Sequence, residues 1–250
     1  MTKETIQTII LTLQSSMQDL SLEKKKLWWE KYMRNVISFR GVGIPAIRGL
    51  QKTWYKEYLE PLSYEEQIEI AIEFLRCELA EDKLAGILLL QNYLYDKMPL
   101  EYMLKQYKKI FDEKLIYDWN ICDWFCVRVL NSTIKLHGSD AALQISSWRH
   151  EEYLWNARAS VVAFIGVTSS QEYYQEIKEN CLTLIQREER FAKTSVGWIL
   201  HDIYKVDEKF VFNFVDENLA YFSLESLKNA IKYCDDEVKK NYMKKFKELI

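Results

Sequence analysis

The sequence predicts an all-α protein, an α-solenoid of HEAT-like two-helix repeats, and three observations carry that prediction. The first is composition: 250 residues contain only Gly 7 and Pro 3, too little turn punctuation for a sandwich, a barrel or a glycine-rich nucleotide-binding sheet. With 48% hydrophobic and 28% charged residues, a chain of this length buries enough surface to fold. The second is periodicity, since apolar residues recur at helical spacing and no stretch alternates as a strand does. The third is a repeat. Taking Asp123, Arg158, Thr194 and Asn229 as equivalent, successive steps are 35, 36 and 35 residues. Stacked helix pairs give a period of about 35 to 40 residues, because each pair buries its apolar faces only against its neighbours. A curved array with a concave face is expected.

In chain order, an N-terminal helical cap is expected over about 1–50 and helical repeats over about 51–250, together one domain. Phe39 to Arg48, with Gly41, Gly43 and Pro45, reads as the connection from cap to repeats. Ser63 and Glu66 form a capping box, and Ile68, Ala71, Ile72, Leu75 and Leu79 follow as one apolar stripe. Pro99 suits a first helical turn. Asp118 is a natural N-cap for a helix from Trp119, whose apolar side is Ile121, Phe125 and Val129. Ser169 with Glu172 is predicted to open a further helix by the same capping box.

The net charge of −3 hides a strong asymmetry. Lys24 to Lys56 carries nine cations against Glu30 alone, Glu57 to Asp82 nine carboxylates against Arg76, and residues 228–247 a net +4. A polyanion responds to such local patches more than to the total. The five cysteines are scattered and set in apolar segments, as buried thiols of a reducing compartment are, and neither a disulfide framework nor a metal site is expected. Lacking a membrane-length apolar run and a signal-peptide pattern, the chain reads as a cytoplasmic protein.

Three short segments hold residues that core packing does not ask for: Tyr117-Asp118-Trp119-Asn120-Ile121-Cys122-Asp123-Trp124, Trp155-Asn156-Ala157-Arg158-Ala159, and Val196-Gly197-Trp198-Ile199-Leu200. Trp119 and Asp123, four apart, share a helix face away from the apolar side. Together with Lys31-Tyr32-Met33-Arg34-Asn35 and Gly41-Val42-Gly43-Ile44-Pro45-Ala46-Ile47-Arg48, these segments resemble, in order and spacing, the HEAT-like-repeat alkylpurine DNA glycosylases of the AlkD type. The likeness runs from about Lys31 to about Ile231.

The resemblance implies hydrolysis of the N-glycosidic bond of N3- or N7-alkylated purines in duplex DNA, without base flipping, by a monomer that needs no metal or cofactor. It implies that Asp123 is the catalytic carboxylate and that Trp119 and Trp198 line a cleft for the lesion sugar. Arg158 would bind phosphate, Tyr32 would lie near the nucleotide, and Arg34 and Arg48 belong to the DNA-binding set. Two departures stand out: His201-Asp202 where relatives often carry Arg-Glu, which weakens one expected phosphate contact at neutral pH, and Asn120 where an acid is common. Two other functions fit the same architecture. One is a non-catalytic binder of damaged or branched DNA; the other is a protein-interaction solenoid, which acidic residues lining the cleft would favour.

Overall fold

The computed structural model describes residues 1–249, which are helical nearly throughout and fall into two compact units, Met1–Val129 and the chain from Leu130 on. No strand forms among the described residues; extended pairing is limited to one isolated bridge, Ser38 with Leu79.

The first unit holds α1 (Lys3–Gln18), α2 (Glu23–Tyr32), α3 (Ile44–Trp54), α4 (Tyr64–Arg76), α5 (Ala80–Leu89), α6 (Leu100–Asp112) and α7 (Trp119–Phe125). One π-turn extends each of α3, α5 and α7, over Tyr55–Leu59, Leu90–Leu94 and Cys126–Leu130. Thr2 caps α1, and Ile6, Ile10, Leu13 and Met17 make its buried stripe. The Trp54 indole N–H donates to Thr12 Oγ1 at 2.7 Å, tying α3 to α1. α4 opens on the expected capping box of Ser63 and Glu66 and packs against α5.

The loop from α2 to α3 depends on Glu81. Its buried carboxylate accepts the backbone N–H groups of Arg40 (2.7 Å), Gly41 (2.7 Å) and Val42 (3.0 Å). Gly41 has φ +92, and a Cβ there would run into the Leu22 carbonyl, so only glycine fits. Next to it, Asp82 takes both oxygens to the Arg40 guanidinium at 2.8 Å. Glu81 and Asp82, which close the acidic run in the sequence, are thus buried joints.

The second unit contains α8 (Asn131–His137), α9 (Ser139–Ser147), α10 (Leu154–Val162), α11 (Tyr174–Ile185), α12 (Arg190–Ile203), α13 (Glu208–Asn218), α14 (Leu224–Ala230) and α15 (Asp236–Glu248). Here α10, α12 and α14 pack in succession, while α9 and α11 lie against α10, and α11 and α13 against α12. The predicted equivalences hold at the level of helix position. Asp123, Arg158 and Thr194 are each the fifth residue of their helix, and Asn229 is the sixth of α14. Gly197 sets the closest approach: a Cβ there would strike the Ser226 carbonyl of α14. Asn180, fully buried, donates from its amide to Ser146 Oγ (3.1 Å) and to the Ser160 carbonyl (2.7 Å), joining α9, α10 and α11.

Several expectations need correction. The stripe of α4 does not reach Leu79: the helix ends at Arg76, and Leu79 is the extended residue before α5, held by the bridge to Ser38. The connection from the cap runs over residues 33–43 and not from Phe39 to Arg48, because α2 ends at Tyr32, Pro45 sits in the first turn of α3 and Arg48 is mid-helix. Ser169 does not cap a helix. Asp202 accepts the Gly166 N–H (3.2 Å) and the Thr168 hydroxyl (2.9 Å), Gly166 takes φ +88, and the chain enters α11 through a 3-10 turn at Gln171–Tyr173. Pro99 is the N-cap of α6 rather than a residue of its first turn.

Candidate functional site

In the first unit the site is built on the start of α7. Asp118 adopts extended backbone and its Oδ1 accepts the Ile121 N–H at 3.0 Å, closing the helix N-terminus and fixing where Trp119 projects. Ile121 and Phe125 anchor the opposite side with no exposure. Trp119 and Asp123 therefore stand one turn apart on a half-buried face. Burial lifts the Asp118 carboxyl to about 6, and the charge of Asp123 pushes in the same direction. On the adjoining face Trp124 receives the Arg128 guanidinium over its ring at 5.1 Å.

The cap reaches this helix through an aromatic contact. Tyr32, the last residue of α2, meets Trp119 edge-on, with ring centroids 5.8 Å apart at 74°. Arg34 follows in the left-handed region (φ 53) and is exposed, as is Arg48 on α3. Of the nine cations between Lys24 and Lys56, Arg40 alone forms an ion pair among the described residues. A cavity of about 260 Å³ lies beside the other flank of α7, between Asn120 and Trp124 on one side and Trp29 and Phe39 on the other, with Lys25 on its wall.

In the second unit Arg158 is only 4% exposed. Its Nη1 donates to the Phe191 carbonyl (2.7 Å) and to Thr194 Oγ1 (3.4 Å), so it braces the first turn of α12, the helix that carries Trp198. Trp155 packs on Phe191 at 5.4 Å. Trp198 is half-buried, next to the glycine that seats α12 on α14. Burial, with Lys205 and Lys232 nearby, holds the His201 imidazole below its ordinary value and so favours its neutral form. The structure thus brings Tyr32 to Trp119 and Arg158 to the turn preceding Trp198.

Two residues escaped sequence reasoning. Glu81 looked like one more acid in a charged run, and no local signal marks the three N–H groups it collects from forty residues away. Trp28 had a signal, an aromatic pair that follows three lysines with only Leu27 between.

A family model described as DNA alkylation repair enzyme matches residues 13–234. The chain belongs to the DNA alkylation repair family. Membership places it in DNA repair, as an enzyme acting on alkylation damage. Among solved structures this family member resembles one described as "Predicted DNA alkylation repair enzyme from Enterococcus faecalis", with a TM-score of 0.74 and 18% identity over 85% of this chain and 96% of that one. Identity at that level carries the all-helical fold and nothing finer. No curated protein matches the sequence. No helix among the described residues is long and apolar enough to cross a membrane.

Proposed function

We propose that this DNA alkylation repair protein is a monomeric DNA glycosylase that releases cationic N3- or N7-alkylated purines from duplex DNA without flipping them. The observation that carries the reading is the pairing of Asp123 with Trp119 on a helix face fixed by the Asp118 cap and bordered by Tyr32.

An alkylated purine already bears a positive charge, so it leaves without being protonated, and one carboxylate replaces the usual acid and base pair of glycoside hydrolysis. What remains is positive charge growing on the deoxyribose and a water to be oriented. Asp123 stabilises that charge from a half-buried position, where its field is less screened than in bulk water. The Trp119 face adds attraction of the cation–π kind, and Trp198 keeps the role the resemblance gives it, a second aromatic contact to the same sugar. Tyr32 borders the nucleotide, and Arg34 and Arg48, exposed and outside any ion pair among the described residues, take phosphates. The phosphate role that the resemblance gives Arg158 asks its guanidinium to turn outward on binding, since its side chain is buried with Nη1 on the Phe191 carbonyl.

The test is release of 3-methyladenine and 7-methylguanine from methylated duplex DNA by the wild type and by Asp123→Asn. Release that depends on Asp123, with DNA affinity retained in the variant, supports the reading. DNA binding with no release from any methylated substrate replaces it by the non-catalytic binder.

A further inference from the structure

The helix α2, Glu23–Tyr32, buries none of its residues. Trp28 is 58% exposed and Tyr32 54%, with Leu22 and Leu27 similarly open. A soluble surface rarely leaves apolar residues grouped in this way unless something covers them. The exposed rings are also ordered. Trp28 lies flat on Tyr32, centroids 5.3 Å apart at 7°, and edge-on to Trp29 at 4.9 Å. Tyr32 passes the contact to Trp119, so a run of rings leads from the open side of Trp28 to the helix that holds Asp123. Beside Trp28 is a hollow of about 620 Å³, walled also by Leu22, Glu23, Lys24, Lys25 and Trp29.

Charge narrows the occupant. Lys24, Lys25, Lys26, Lys31 and Arg34 make no ion pair among the described residues. Two acids share the helix: Glu30 turns its carboxylate to the Phe39 N–H at 3.1 Å and Glu23 stands at the hollow, which leaves the cations in excess. Flat exposed aromatics among cations in excess suit a nucleic acid strand, because every base has a π-face and every linkage a phosphate. The surface is also continuous with Tyr32 and Trp119, the residues placed at the lesion nucleotide.

We propose that α2 is a docking surface for an unpaired nucleotide of the DNA, its base stacked on the open face of Trp28 and its flanking phosphates on Lys24, Lys25 and Lys31. The inference rests on the reading of this chain as a DNA-binding repair enzyme. It adds a substrate preference: a duplex with a gap or bulge is bound more tightly than the same duplex fully paired.

Fluorescence anisotropy with an undamaged labelled duplex and the same duplex carrying a three-nucleotide gap tests this on the full chain. The wild type is expected to favour the gapped DNA about tenfold, Trp28→Ala to lose that preference, and Trp28→Phe to keep most of it. Lys24→Ala with Lys25→Ala, which removes the phosphate contacts beside the stacked base, is expected to weaken the gapped DNA more than the paired duplex and to flatten its salt dependence. Equal affinity of the wild type for the two DNAs, or an unchanged preference in Trp28→Ala, overturns the proposal. So does a wild-type dimer that Trp28→Ala converts to monomer, which would make α2 a protein interface. Base release by the wild type, measured alongside, tests the glycosylase separately: a gap preference without release would remove the glycosylase reading and leave the docking surface.

Discussion

Tyr32 and Trp119 meet edge to face across 5.8 Å, one at the end of α2 and the other at the first position of α7. The contact joins the cap to the helix of Asp123, yet Tyr32 is more than half exposed, so its ring contributes little to the core. Tyr32→Ala should therefore leave the melting temperature nearly unchanged while lowering the second-order rate of base release three- to tenfold, about the worth of one aromatic pair. Single-turnover release from methylated duplex, with a thermal melt as control, checks it. A large fall in melting temperature would instead make the contact structural.

Glu81 offers a sharper test of stability. Its carboxylate answers three backbone donors, and an amide in its place must turn an N–H toward at least one of them. Glu81→Gln should cost about 2 to 4 kcal/mol, the range for a buried donor left unpaired beside a lost charge-assisted bond. Urea unfolding should show the midpoint falling with an unchanged slope. Because Gly41 and Val42 lead into α3, protection of their amides from hydrogen exchange should fall as well.

How far the sequence discloses this molecule depends on the range of the interaction involved. Asp118 and Ser63 cap their helices as read, because a cap is a bond between a side chain and a backbone group three residues on. The repeat spacing was legible for a related reason: helices stacked one after another carry matching residues at matching turns, as Arg158 and Thr194 do. Leu79 was misassigned because the 3.6-residue period continues in sequence beyond Arg76, and what ends the helix is a strand-like partner at Ser38. Ser169 failed as a cap because Asp202, on a helix further along, claims the preceding loop. At the site, Asp123 and Trp119 stood out by their spacing, whereas the burial of Arg158 against the Phe191 carbonyl depends on a turn more than thirty residues away.

Gly197 fixes how closely α12 rides on α14. A methyl group there meets the Ser226 carbonyl and the backbone atoms around it, which cannot rotate aside. Although alanine is the better helix former by about 1 kcal/mol, Gly197→Ala should destabilise the protein by about 1 to 3 kcal/mol, since overpacking outweighs propensity at a backbone contact. Differential scanning calorimetry gives the sign directly. A rise in melting temperature would mean that the two helices can move apart without loss. As Trp198 follows the glycine, base release should drop further than the lost stability accounts for.

Asp118 supplies a prediction in pH. Burial raises its carboxyl to about 6 from an ordinary 3.8, so the folded chain holds a proton that the unfolded chain has given up. Below about pH 4 both states are protonated and the group is neutral toward folding. Between about 4 and 6 the unfolded state ionises first, stability declines as pH rises, and above about 6 the full penalty is present, close to 3 kcal/mol. Asp118→Asn keeps an acceptor for the Ile121 N–H and removes the charge. Its stability relative to wild type should therefore improve by about 3 kcal/mol between pH 4 and pH 8, whatever constant offset the amide introduces. Denaturant midpoints of both proteins across that interval read the difference, and parallel curves would show that Asp118 titrates as an ordinary carboxylate.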